Sequence, residues 1–180
     1  MRNNVQKMTA AGLCLALAHL LRFLTGQYAQ IGGMLCPMHL PVLLCGFLCG
    51  GPWGLAVGAV APKQRNLLFG MPPLYPTAIS MCFELAAYGA ISGFLYSKLK
   101  KQGIKGIYMA LLTAMLLGRI IWAVVRMILM VGGAPFTFAI FLADGFINAI
   151  PGIIVQLILI PLLVTAVERR KKHGTHCVDF

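Results

Sequence analysis

Five charged side chains lie in or beside long apolar stretches of this chain: Arg65, Glu84, Arg119, Arg126 and Asp144. An ionised side chain in hydrocarbon costs roughly 2.5–3.5 kcal/mol on insertion scales. Five such charges in so small a protein therefore indicate a polar cavity between helices rather than side chains facing lipid. Because cations outnumber anions among them, this cavity suits a small anionic or polar solute.

Two of the arginines follow helical spacing. Arg119 and Arg126 are seven residues apart, so they share one helix face and lie about 10 Å apart along its axis. We expect Arg119 to pair with Glu84, because each would otherwise bury an uncompensated charge, and Glu84 is also a candidate for substrate binding. Arg126 has no equally obvious partner, and we expect it to bind either an anionic group of a substrate or a backbone carbonyl.

Further polar residues are candidates for substrate binding. Asp144, Asn148 and Gln156 recur along the sixth apolar segment. Asp144 and Asn148 are one helical turn apart and suit hydrogen bonding to a polar ligand, although such residues also join membrane helices to one another. Arg65 ends an apolar segment, where it either contacts a substrate or extends to the lipid headgroups. Gln30 and Tyr75 lie in loops that contain Gly or Pro and suit the mouth of a pocket.

The elements that must position these side chains are membrane helices. Hydrophobic residues make up 59% of the chain and charged residues 11%, with a mean hydropathy of +0.86, whereas soluble domains carry about 25% charged residues. We predict an all-α integral membrane bundle of six transmembrane helices in one domain, residues 1–170, with a tail over 171–180. The predicted segments are 8–24, 40–51, 53–69, 76–97, 107–131 and 141–167. Gly51-Pro52 is predicted to break the second from the third.

Most of the net charge of +11 lies in three basic groups. They are Arg2 with Lys7 before the first segment, the lysines of 98–105 after the fourth, and the run 169–172 after the sixth. Six crossings place all three groups on one side of the membrane. By the positive-inside rule that side is the cytoplasm, so both termini are predicted to be cytoplasmic.

The residue pattern argues against an enzyme or a metalloprotein. Cys45 and Cys49 are one turn apart, but no His or carboxylate accompanies them at metal-ligand spacing, and the six cysteines indicate no disulfide framework. No P-loop, GxSxG or HExxH motif occurs, so we expect no catalytic residues, no cofactor and no ATP hydrolysis by the chain itself. His39 precedes an apolar run and is interpreted as a polar cap at the membrane interface.

Small residues recur at helical spacing in two places. Gly46, Gly50, Gly54 and Gly58 follow one another every four residues and indicate close helix packing, within the chain or with a partner protein. Gly12 and Ala16 form a similar pair on the first segment. That pair indicates either internal packing or a surface on which a partner helix docks.

Several strings resemble the substrate-binding S components of energy-coupling factor (ECF) transporters. They are PMHLPVLLCGF at 37–47, GLAVG at 54–58, RNLLFGMPPLYPTA at 65–78 and NAIPG at 148–152, with Glu84, Tyr88, Gly89 and Gly93 between the last two. The resemblance covers about residues 5–168. It implies a six-helix protein of a prokaryotic plasma membrane that captures a vitamin or related micronutrient from outside.

The resemblance also implies partners and roles. An S component joins a transmembrane coupling protein and two cytoplasmic ATPases, and its first helix carries an Ala-xxx-Ala motif that docks on the coupling protein. Gly12 and Ala16 match that motif, with Gly keeping the surface small. The loop after the first helix, around 25–38, would close over the substrate. Pantothenate is the best guess for that substrate, and riboflavin, folate and other micronutrients remain open.

Two other classes of protein remain as alternatives. A standalone secondary transporter or channel for a small polar solute predicts inverted repeats and coupling-ion sites, and no convincing repeat is present. An intramembrane enzyme needs a reactive cluster. Glu84 and Asp144 lie sixty residues apart with no His between them, which argues against that class.

Overall fold

The computed structural model describes residues 2–26, 37–70, 73–130 and 149–175, and within these ranges the chain is helical with no strand. The all-α prediction is therefore confirmed. The helices are α1 (Arg2–Gly26), α2 (His39–Cys49), α3 (Gly51–Phe69), α4 (Ile79–Leu99), α5 (Ile104–Leu129) and α6 (Ile150–Thr175). A π-helical turn, Leu74–Ala78, leads into α4, and a 3-10 turn, Lys100–Gln102, follows it.

Three stretches in the described part of the chain are long and apolar enough to cross a membrane: Leu74–Gln102, Ile104–Leu129 and Ile150–Arg169. His39–Cys49 is apolar but shorter. With 11 residues it is about 16 Å long at 1.5 Å per residue, against about 30 Å of hydrocarbon. Length and composition thus support a multi-pass membrane protein without fixing the number of crossings.

The break between α2 and α3 lies one residue earlier than predicted. Gly50 has φ +98, a conformation that suits glycine, and its N–H donates to the carbonyl of Gly46 at 3.0 Å. Gly51 and Pro52 are the first residues of α3 rather than the turn itself. This correction follows from proline chemistry, because Pro fits the first helical turn, where its missing N–H costs nothing.

Glycines let α2 and α3 approach α4 at backbone distance. A Cβ at Gly46 or Gly54 would lie 2.5 Å from the carbonyl oxygen of Gly89, and a Cβ at Gly58 would overlap the carbonyl of Leu85. No real side chain fits at such distances. The interpretation of this glycine repeat as internal packing is confirmed at these positions.

α4 and α5 form an antiparallel hairpin around the turn at 100–103. Far from that turn, the Tyr75 hydroxyl donates to the Leu129 carbonyl. Midway along, Glu84 contacts Arg119. The register is therefore constant along the hairpin, and it places Tyr75 and the last turn of α5 at the same end of the bundle.

α2 lies between two apolar clusters and is buried along nearly its whole length. The first cluster joins α2 to α4, α5 and α6 through Leu40, Leu43, Leu44, Phe47, Tyr88, Tyr96, Ile107, Leu111, Ile160 and Val164. The second joins α2 to α1, α3 and α4 through Ala11, Cys14, Met38, Val42, Cys45, Cys49, Val57, Ala61 and Leu85. This short helix is thus the central element against which the longer helices pack.

The two ends of the bundle differ in charge. Lys98, Lys100, Lys101 and Lys105 flank the α4–α5 turn, and Lys100 Nζ lies 3.6 Å from Glu168 Oε1 near the end of α6. The basic residues after the fourth and sixth predicted segments therefore share one end, as six crossings require. We call this the lysine-rich end. The end that carries Tyr75 and Leu129 is called the opposite end.

Candidate functional site

A buried ion pair joins α4 to α5. Arg119 Nη1 lies 2.9 Å from Glu84 Oε1, and both side chains are at most 10% exposed. The hairpin register brings them face to face, since Glu84 lies in the second turn of α4 and Arg119 in the second half of the antiparallel α5. The predicted Arg119–Glu84 pair is confirmed. Each side chain balances the other's charge in a region where an unpaired ion is costly.

His39 is the third member of this cluster. Its Nε2 atom lies 3.4 Å from the same Glu84 oxygen, and its ring packs on Tyr88 with centroids 5.2 Å apart. The side chain is only 3% exposed, so its interpretation as a cap at the membrane interface was wrong. The start of α2 lies inside the bundle because the longer helices surround it, and a long-range pairing of this kind leaves no periodic signal in the sequence.

Gln156 is buried on the inner face of α6. Gly152, Gln156, Ile160 and Val164 follow every four residues and are all buried, so they form one face that points into the bundle. Ile160 and Val164 belong to the apolar cluster with α2. Gln156 lies one turn nearer the opposite end than Ile160, where that cluster gives way to polar side chains.

His39 Nδ1 and Gln156 Oε1 are among the buried polar atoms that have no hydrogen-bond partner in the described part of the chain. A buried polar atom without a partner costs about 1–3 kcal/mol. The helices that carry them, α2 and α6, pack together. Both atoms are therefore available to a bound ligand or to water.

Arg126 occupies the last turn of α5 at the opposite end. Its guanidinium carbon lies 5.2 Å from the centre of the Trp122 ring, which orients the cation by a cation–π contact. The side chain is half-buried, whereas Trp122 is buried. Arg126 is thus held in place at the bundle end and is not extended into lipid.

Arg65 lies at the same end, in the last turns of α3. Its Nη1 group donates to Met38 Sδ at 3.6 Å, and the side chain is half-buried. Met38 immediately precedes His39, so Arg65 lies beside the entrance to the His39–Glu84–Arg119 cluster. Tyr75 is exposed at this end, where its hydroxyl contacts the end of α5.

Gln30, Asp144 and Asn148 lie outside the residues that the structure describes. The polar cavity expected around the arginines therefore stays a prediction. Glu84, Arg119 and His39 come together, and Arg65, Tyr75 and Arg126 lie at one bundle end. Gln156, which recurs with Asp144 and Asn148 along the sixth predicted segment, lies within the described residues and is buried.

The first helix presents its small residues outward. Gly12 and Ala16 are exposed, and a Cβ at Gly12 would meet no atom within 4 Å. Ala11, Cys14 and Ala18, on the other side of α1, are buried. Packing against the described residues therefore does not explain the Gly12–Ala16 pair, and the exposed face also carries Leu13 and Leu20.

Comparison with known proteins gives one informative match. A family model described as "ECF transporter, substrate-specific component" matches residues 6–164, which includes every described site residue. No significant match was found among curated proteins or among solved structures. Proteins of the matched family are transport subunits and not enzymes. The chain belongs to the family of substrate-specific components of ECF transporters.

Proposed function

We propose that this chain is the high-affinity, membrane-embedded substrate-binding subunit of an ECF-type importer for a vitamin or related micronutrient in a prokaryotic plasma membrane. The subunit is a six-helix domain, residues 1–170, with both termini and the tail 171–180 in the cytoplasm. Family membership supports the transport role. Since the lysine-rich end is cytoplasmic by the positive-inside rule, the opposite end faces outward.

The observation that carries this proposal is the polar character of that outward end. Arg65 and Arg126 are half-buried there, and Gln156 and His39 offer buried polar atoms without partners among the described residues. A solute entering from outside meets the two guanidinium groups first. It can then hydrogen-bond deeper in the bundle, where low polarity strengthens each contact.

The charges and hydrogen-bonding groups favour a small acid as substrate. Arg126 and Arg65 suit a carboxylate, for which arginine offers paired donors. Gln156, together with the predicted ligands Gln30, Asp144 and Asn148, suits hydroxyl and amide groups. Pantothenate combines these groups and remains our best candidate, with riboflavin and folate as alternatives.

Glu84 orients His39 and does not pair directly with a charge on the substrate. One of its oxygens is already 2.9 Å from Arg119 and 3.4 Å from His39. The carboxylate therefore fixes the His39 ring, whose Nδ1 atom remains available to a ligand. Tyr75, at the outer surface, would close the site from the side of the α4–α5 hairpin.

Import requires partners that supply energy. We propose that the exposed Gly12–Ala16 face of α1 docks on a transmembrane coupling protein, with two cytoplasmic ATPases completing the complex. Two helices can approach closely where side chains are small, and they then gain dispersion contacts along their length. The exposure of this face supports the assignment.

Co-purification tests the proposal. The chain is purified alone in mild detergent, and small molecules released on denaturation are identified by mass spectrometry. We expect one vitamin-sized acid at close to one equivalent. Absence of any such compound, together with no binding of added pantothenate, riboflavin or folate, would falsify the proposal. Capture of a coupling protein from the native membrane separates an S component from a standalone transporter.

A further inference from the structure

A small cavity lies at the lysine-rich end, away from the proposed substrate site. Its volume is about 180 Å³, and it is lined by Gly103, Ile104, Ile107, Thr165, Glu168 and Arg169. It lies where the start of α5 meets the last turns of α6. Nothing in the capture of a solute from the other end uses this cavity.

The surroundings of the cavity are strongly basic. Lys100, Lys101, Lys105 and Arg169 are exposed there. The carboxylate at the cavity is Glu168, which accepts a hydrogen bond from the Tyr96 hydroxyl at 2.6 Å and lies 3.6 Å from Lys100 Nζ. Because Glu168 is already engaged with Tyr96 and Lys100, the remaining cations keep a net positive potential around the opening.

The start of α5 adds to this potential. The helix begins after Gly103, has no side-chain cap and has no acidic residue in its first turn. The positive end of the α5 dipole is therefore not offset locally by an acidic residue. Gly103 and Ile104 belong to the cavity wall, so backbone N–H groups and lysines act on the same space.

The apolar residues of the cavity wall favour a lipid over a free inorganic anion as the ligand. Ile104 is 57% exposed beside the cavity, and Ile107 lines it from within. Along α6, Ile158 and Leu162 lie seven and three residues before the cavity residue Thr165, on the same helix face, and both are exposed on the bundle surface. A phosphate at the cavity would thus be followed by an apolar surface suited to acyl chains.

We propose that this cavity binds the phosphate of an anionic phospholipid from the surrounding leaflet, with Arg169 in the cavity wall and the exposed Lys105 next to Ile104 as its cationic contacts. Basic pockets between membrane helices are the usual means of holding such headgroups. The lipid would bridge α5 and α6, beside the contacts that Tyr96 of α4 and Lys100 of the following turn make with Glu168 of α6. This site requires only that the helices span the membrane, and it is independent of the substrate.

Lipid retention measured on the full chain tests the site. The protein is reconstituted in nanodiscs of phosphatidylcholine with phosphatidylglycerol, extracted, and examined by native mass spectrometry. The paired change Lys105→Gln with Arg169→Gln removes two cations at the cavity. The matched control, Lys7→Gln with Lys63→Gln, removes two exposed cations elsewhere. Thr165→Leu narrows the cavity at constant charge.

The expected result is at least a tenfold preference for phosphatidylglycerol in the parent chain and the control, and its loss in the cavity pair and in Thr165→Leu. Equal retention in the parent and the cavity pair overturns the site. Stabilisation by inorganic phosphate as strong as that by the lipid also overturns it, in favour of a free-anion site. Unchanged lipid retention combined with lost capture of a partner protein would instead make this surface a protein contact.

Discussion

Glu84 Oε1 and Arg119 Nη1 lie 2.9 Å apart and join two adjacent antiparallel helices. The contact fixes the register of the α4–α5 hairpin, and that register places Tyr75 and Arg126 together at the opposite end. His39 reaches the same carboxylate from α2. A single ion pair thus connects the packing of three helices with the polar end at which we propose substrate binding.

Removing one partner of this pair should destabilise the protein strongly. Arg119→Leu leaves Glu84 buried without its cation, and we expect a loss of about 3–5 kcal/mol. Thermal unfolding in detergent measures this. The double change Glu84→Leu with Arg119→Leu should be less destabilising than the sum of the single changes, because neither charge is then left alone. Additive losses would contradict a direct pair.

The glycine contacts predict that a leucine at Gly58 disrupts the fold, whereas a leucine at Gly12 does not. Gly58→Leu places a side chain against the Leu85 carbonyl and should prevent α3 from packing on α4. Gly12→Leu adds the same side chain on a face where nothing lies within 4 Å. We expect the first variant to aggregate on extraction and the second to behave as the parent in size-exclusion chromatography. Similar behaviour of the two variants would argue against this helix arrangement.

Substitution of the exposed α1 face separates docking from binding. Gly12→Leu combined with Ala16→Leu should abolish uptake in cells that express the coupling protein and ATPases, because the bulky side chains hold the partner helix away. Ligand affinity of the purified variant should stay unchanged. Leu20→Ala, also on an exposed part of α1, is the control. Normal uptake by the Gly12/Ala16 variant would remove this face as the docking surface.

Replacing Gln156 with leucine should lower the affinity for substrate without lowering the stability of the ligand-free protein. Gln156→Leu replaces a buried amide oxygen that has no partner among the described residues, so the ligand-free protein should become equally or more stable. The loss of a hydrogen bond to substrate should weaken binding about tenfold, which is about 1.4 kcal/mol. Thr113→Val, on α5, is the control. A variant with unchanged affinity and lower stability would assign Gln156 to the structure alone.

Much of this arrangement could be predicted from the sequence, since a buried charge must be compensated by a partner and few partners are present. The Glu84–Arg119 pair followed from the cost of leaving either ion alone. Close packing at Gly46, Gly54 and Gly58 followed from their spacing. Helix bounds were less accurate: α1 begins at Arg2 and not at residue 8, because backbone hydrogen bonding continues beyond the apolar stretch.

Other features depend on how distant segments meet. His39 looks like an interfacial residue in the sequence, and its burial arises because α2 is too short to reach both membrane surfaces. The spacing of Gly12 and Ala16 fits an inward or an outward face equally well. Only the position of α1 on the bundle, with Cys14 and Ala18 buried, decides between the two.

The affinity of the purified chain for its co-purified ligand, compared between the parent and Arg126→Ala, tests the central claim most directly. Lys63→Ala, which removes an exposed cation from α3, is the matched control, and isothermal titration calorimetry measures all three. If solute capture depends on a guanidinium group at the outward end, Arg126→Ala weakens binding at least tenfold, about 1.4 kcal/mol, and the control does not. Equal affinity in all three proteins would contradict the account.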